Sequence, residues 1–378
     1  MMTTGKIEQT VFSIPSTSSL ESISNDQVYE LIYLKFVSTA SEFLIESRLI
    51  KNGAMFKVSR KYDDFFLLNT NLLATTEPST ILPPLPENFD LSEKILPSEQ
   101  LLVIKTGGID HRDIEEFNLY LQALLRHSKI GRTKLIEDFL IQNNLQLPVP
   151  KLDKKKSVSL SKFSSPSRKI VTQTREIDEF YEKQRFFIIS HDAKLQLMKM
   201  AFEDVLIGHR KLHNVLSHFA TSVTAAFVVK EEPNSQLIAF MKSFCSSFEN
   251  FRIHLDLSSN LAYQHLGVFL QYLFLYNYTF KEMIALRSEL MSKYEVACKT
   301  LQKSVDSKNF DKAKEEKTKV EEQFEDFSKN GYKEVLIFHD FRNTFMILAL
   351  DVYKKNQLVM ARKTCKILQE SIAILKRL

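Results

Sequence analysis

The sequence predicts two architectures in one chain: an α+β front domain, a three-stranded antiparallel sheet with a helical cap, followed by an all-α coiled coil of three long helices. Three observations carry this reading. Between Val28 and Ser59 apolar residues alternate in short β-rich runs; eight of the ten prolines fall at or before Pro150; and beyond residue 176 apolar residues step by threes and fours to the end of the sequence.

Residues 1–24 are rich in serine and threonine, have no apolar period and are expected to be disordered. "VYELIYLKFV" and "SEFLIESRLI" read as two strands, and "GAMFKVS" as a third after the turn signal Asn52-Gly53. The period then changes to that of a helix over Tyr62 to Leu73. "PSTILPPLPENF" follows as a proline-fixed extended segment that continues neither helix nor central strand. Ile114, Phe117, Leu121 and Leu124 recur at helical intervals, and "TKLIEDFLIQ" makes one more short helix before Pro148. These elements define a front domain over residues 25–147, an ordinary size for one domain.

Residues 148–175 form a serine-rich linker, and 151–175 hold eight basic residues against one acidic. Val158, Leu160, Phe163 and Ile170 are its scattered apolar residues, so two readings stand: a solvated tether, or an amphipathic helix interrupted at Pro166. From 176 to 378 three seams appear. Leu195, Met198, Phe202, Val205, Leu212, Leu216, Phe219 and Val223 make the first; Leu273, Tyr276, Phe280 and Met283 lie in the second; Phe338, Phe345, Val352 and Val359 stand at sevens in the third. Breaks are expected at Glu231-Glu232-Pro233 and Asp306 to Asn309. The resulting helices would be about 75 to 105 Å long, which requires side-by-side packing. A single glycine in each, Gly208, Gly267 and Gly331, marks a point of weakness. Phe186, Phe187, Phe269, Tyr272 and Phe274 add a second apolar face that dimerisation would cover.

The 378 residues carry a net charge of +5, distributed unevenly: residues 1–150 hold 14 basic and 19 acidic side chains, so the excess of positive charge lies behind them. No eighteen-residue apolar run and no basic, apolar leader occur, so the chain is expected to stay on the cytosolic side. Cys245, Cys298 and Cys365 are too few and too far apart for a disulfide framework or metal cluster. His209 and His213 have the spacing of metal ligands, yet "RKL" between them lacks the glutamate of a zinc hydrolase helix and no third ligand is placed. No glycine-rich phosphate loop or catalytic constellation is present. The expectation is a protein that is not an enzyme, with no cofactor, no metal and no nucleic-acid partner.

The junction "SRKYDDF" sets Arg60, Lys61 and Tyr62 at a helix start, where cations and the helix end attract phosphate and an aromatic face covers a sugar ring. Its order, strands, "SRKYDDF", helix, "ILPPLP", and a later helix with "IEEF", resembles the PX (phox homology) domain, matched at Arg60, Lys61, Tyr62 and Phe65. With the basic linker and the three long helices behind it, the chain from about residue 25 resembles a PX-BAR sorting nexin. The resemblance implies a peripheral protein of endosomal membranes that binds phosphatidylinositol 3-phosphate or another anionic lipid and reads curvature in endosomal sorting and retrograde transport. It also implies a BAR-mediated homodimer, or a heterodimer with another sorting nexin, and retromer or cargo as further partners.

The departures from the family pattern predict a degenerate pocket. Lys61 stands where an arginine is usual, Glu87-Asn88 follow "PPLP" without a lysine, and Asp110 occupies an expected arginine position, with Arg112 nearby. The expected lipid contacts are therefore Arg60, Lys61, Tyr62 and Arg112 in the pocket, and Lys154, Lys155, Lys156, Lys162, Phe163, Arg168 and Lys169 in the linker. The lysines around the second helical turn, Lys293 to Lys319, read either as a lipid-facing tip or as a solvated end paired with nearby glutamates. A different class of function, a coiled-coil scaffold whose degenerate PX domain only binds protein, is the alternative.

Overall fold

In the computed structural model, the residues described are 27–37, 42–86, 111–148, 176, 178–227, 235–304 and 309–377. The predicted three-stranded sheet is present: β1 (Tyr29–Val37), β2 (Glu42–Leu49) and β3 (Met55–Arg60) pair antiparallel in the order β1-β2-β3. The register sets Ile45 opposite both Leu34 and Val58, and a bulge between Leu31 and Tyr33 shifts the first pairing. Phe43, Ile45 and Ser47 of β2 alternate into the core as a period of two requires. The β2–β3 turn closes at Asn52-Gly53, where the Asn52 side chain accepts the Ala54 amide at 3.0 Å and Gly53 takes a φ of 73°, a conformation costly for any other residue.

Three helices cap the sheet: α1 (Tyr62–Thr75), α2 (His111–Arg126) and α3 (Lys134–Ile141), with a 3₁₀ turn at Ile130–Arg132. Each of four elements gives one ring to the centre. Phe43 of β2, Phe65 of α1 and Phe117 of α2 meet with centroids 4.6 to 5.2 Å apart, and Phe139 of α3 closes on Phe65 at 5.1 Å. Tilted and edge-to-face pairs of this kind add about 0.5 to 1.5 kcal/mol each beyond their burial.

The helical half runs as α4 (Glu179–Phe227), α5 (Ser235–Ala262), α6 (Val268–Lys303) and α7 (Phe310–Leu375). A π turn at Tyr263–Gly267 joins α5 to α6, so three long helical runs result. They stop and resume on either side of the expected breaks, which, Asn309 apart, lie outside the described residues. Of the three flagged glycines, Gly208 and Gly331 sit in regular α-helix and Gly267 in the π turn. A Cβ at Gly267 would come within 2.7 Å of the Tyr263 ring and 3.3 Å of Phe202, which explains why no larger residue suits the turn.

Packing divides the chain into two compact units. One unites the front domain with Ala285–Phe341. Its helical part is built on Met291, Val335, Phe338 and Phe341, with the buried Arg287 guanidinium 4.9 Å over the Phe324 ring and its Nε donating to Ser328 at 3.1 Å. The other comprises Thr172–Ile284 and Arg342–Leu378, around Tyr181, Ile188, Leu195, Phe269, Leu273, Tyr276, Phe280 and Phe345. Phe269 and Tyr272, expected on an outward face, are core residues here, whereas Phe186 is exposed. The polar residues of this unit pair across helices: Lys281 with Asp192, and the Asn277 amide with His191 Nδ1 at 3.2 Å. Burial lowers the pKa of His191, and the charge of Arg342 adds to the effect.

Candidate functional site

The β3–α1 junction brings Arg60, Lys61 and Tyr62 together and gives them three different tasks. Arg60 is 1% exposed. Its Nε and Nη2 donate to the Phe139 carbonyl at 2.9 and 2.7 Å, Nη2 donates also to the Gln142 carbonyl, and Nη1 to the Ser59 carbonyl at 2.8 Å. The guanidinium also lies 5.3 Å from the centroid of the Phe139 ring. Phe139 and Gln142 stand at the C-terminal end of α3, where free carbonyls and the helix dipole attract a cation. Burial lowers the Arg60 pKa while Asp64 opposes that shift, and an arginine stays charged throughout. The expectation of Arg60 as a lipid-facing cation is thereby corrected: its donors are spent inside the fold, tying β3 to α3.

Lys61 is exposed and takes the extended N-cap conformation of α1. Its own amide donates to the Asp64 carboxylate at 2.7 Å, so the start of the helix is capped from within. Asp63 and Asp64 occupy the first turn, complementing the helix dipole with the sign of charge that a phosphate would bring. Tyr62 is half-buried, edge-on to Phe117 with centroids 5.9 Å apart, and its hydroxyl donates to the Pro86 carbonyl at 3.4 Å. Arg112 stands in the first turn of α2, and its side chain is outside the described residues, as are Asn88, Asp110 and the linker positions Lys154, Lys155, Lys156, Lys162, Phe163, Arg168 and Lys169.

On α2, Glu115 is half-buried with Asn118 Nδ2 at 3.5 Å as a weak donor, and desolvation pushes its carboxyl up to about 7. At the far ends of α6 and α7, Lys293, Lys299, Lys303, Lys312, Lys314 and Lys319 are exposed. Lys317 pairs with a predicted glutamate, Glu321, at 2.5 Å, and the Tyr294 hydroxyl donates to the same carboxylate at 2.8 Å. His209 meets Ser259 at 3.0 Å and His213 Nε2 accepts from Arg252 at 2.7 Å, so the two histidines of metal-like spacing are engaged across helices. Among the described residues no group of three potential metal ligands forms, and no helix is long and apolar enough to cross a membrane.

Two features had no signal in the sequence. Positions 198, 205, 212 and 219 of α4, read as a seam, are exposed together with Leu197, Met200 and Val215 on the same helix. And His127 and Glu334, 207 residues apart, form a buried hydrogen-bonded pair. Neither the exposure of part of a seam nor a contact at that separation is written in local periodicity.

Residues 48–143 match the family model of the PX domain. A solved structure, the cryo-EM structure of the SNX-BAR Mvp1 tetramer, covers 93% of this chain and 98% of its own at 12% identity, with a TM-score of 0.52. The BAR domain of Drosophila amphiphysin covers 56% of this chain and 97% of its own at 15% identity, with a TM-score of 0.43. The chain thus carries a PX domain, and its helices continue it in the fold of an SNX-BAR. In fold, the chain is similar to that SNX-BAR over nearly its whole length.

Proposed function

We propose that this chain is a non-enzymatic, peripheral membrane protein that binds anionic, phosphoinositide-containing endosomal membrane and senses or induces curvature as a BAR dimer, in endosomal sorting and retrograde transport. The observation that carries the proposal is the PX match at residues 48–143 on a chain whose long helices leave seam residues such as Val205 and Leu212 exposed. Such a face is covered by a second helical bundle, from another copy or from another PX-BAR chain. We place the PX domain at 25–147, the basic linker at 148–175 and the BAR domain at 176–378.

Within this reading Lys61 and Tyr62 are the pocket residues, with Arg112 beside them, and the pocket is weak. Arg60 is committed to α3, and Lys61 works against Asp63 and Asp64. Most of the membrane affinity is assigned to the linker cations Lys154, Lys155, Lys156, Lys162, Arg168 and Lys169 with Phe163, at about 1 kcal/mol per cation near an anionic leaflet. The same spent Arg60 favours a second reading, a coiled-coil scaffold whose PX domain binds only protein. Co-sedimentation with phosphatidylserine vesicles, with and without phosphatidylinositol 3-phosphate, separates the two. The membrane reading expects binding that falls tenfold or more when Lys154, Lys155 and Lys156 become glutamate and little when Lys61 becomes alanine. Absence of binding to either vesicle, alone or with a second PX-BAR chain, supports the scaffold.

A further inference from the structure

His127 is the first residue after α2, and Glu334 lies within α7. Both side chains are 1% exposed, and Nε2 of His127 is 2.8 Å from Oε2 of Glu334. The same carboxylate oxygen accepts the backbone amide of Ile81 at 3.2 Å. On its other side the imidazole Nδ1 accepts the amides of Lys129 and Ile130, each at 3.3 Å. With two N–H groups pointing at Nδ1, the proton sits on Nε2 and is donated to Glu334. One side chain of α7 therefore gathers two separate stretches of the PX domain, the "ILPPLP" segment and the turn after α2.

The surroundings are apolar. Ile81, Leu82 and Ile130 from the PX domain and Val335, Phe338 and Phe341 from α7 are all buried. Beside the pair, Arg126 and Asp340 act on each other electrostatically, and burial raises the Asp340 carboxyl and lowers the Arg126 guanidinium. A purely apolar contact of this size would be at least as stable, because desolvating a carboxylate offsets much of what its hydrogen bonds return. A non-directional contact tolerates sliding, whereas two donors converging on one carboxylate oxygen do not.

We propose that Glu334, His127 and the Ile81 amide form a latch that docks the PX domain on the α6–α7 segment Ala285–Phe341 in one register, so that the two move as one body. The latch deals with intramolecular docking and stands whether or not the chain binds lipid.

Hydrogen exchange on the full chain tests it. In Glu334→Ala, peptides covering Ile81 and Lys129–Ile130 should exchange at least tenfold faster while those covering β2 keep their protection, because the PX core is untouched. Glu334→Gln, which keeps the size and an acceptor oxygen, should lie between. In thermal unfolding, the shift of the His127→Ala/Glu334→Ala double variant should equal that of the worse single variant. Unchanged exchange at Ile81, equal acceleration in β2, or additive thermal shifts would each overturn the latch.

Discussion

Arg60 is the residue at which the sequence and the structure part most clearly. An exposed arginine beside a lysine and a tyrosine at a helix start carries the same letters as a buried one. What separates them is the approach of the α3 carbonyls from 79 residues away, which no local pattern contains. We expect Arg60→Ala to lower unfolding stability by about 2 to 4 kcal/mol in urea, because it leaves buried carbonyls of Phe139 and Gln142 unpaired. Lys61→Ala should leave stability within about 0.5 kcal/mol, as an exposed side chain allows. Glu115 supplies a pH dependence. Its carboxyl titrates near 7 in the fold against an ordinary 4.5, so the unfolded chain ionises first. Folding is penalised progressively as pH rises from 4.5 to 7, fully above 7 and not at all below 4.5. Glu115→Gln should therefore stabilise the protein by about 1 to 3 kcal/mol at pH 8 and leave it unchanged at pH 4, as read from urea midpoints at the two pH values.

At the scale of elements the sequence is a good guide where the period is strong. Strands β1 to β3 fall where alternation and Asn52-Gly53 place them, and the long helices end on either side of the expected breaks. What periodicity does not disclose is which apolar positions meet a partner within the chain. Met198, Val205 and Leu212 repeat at sevens like Phe338, Phe345 and Val352, yet the first three are exposed and the second three buried, while Val359, next in the second series, is exposed again. The π turn was likewise legible only as a glycine. Gly267→Ala should cost about 1 to 2 kcal/mol despite the better helix propensity of alanine, since the added carbon meets the Tyr263 and Phe202 rings. The exposed seam makes its own prediction. In light scattering the full chain, alone or mixed with another PX-BAR chain, should show a dimer, twice 43.9 kDa if self-paired, and Val205→Asp/Leu212→Asp should return it to monomer.

For the whole molecule, the charge distribution and the PX match point the same way. Under the proposed function, a front half with more acidic than basic residues and an Arg60 committed to α3 favour a membrane affinity carried by the linker cations over one carried by the pocket. That division makes binding dependent on salt and on the shape of the surface more than on the headgroup. The most direct test is the bound fraction of the full chain on narrow and wide vesicles of identical anionic composition, measured at low and at physiological salt. The account predicts tighter binding per unit of lipid on one vesicle width than on the other, weakening as salt rises and persisting in Lys61→Ala. Equal binding at both widths, or binding abolished by Lys61→Ala alone, would contradict it.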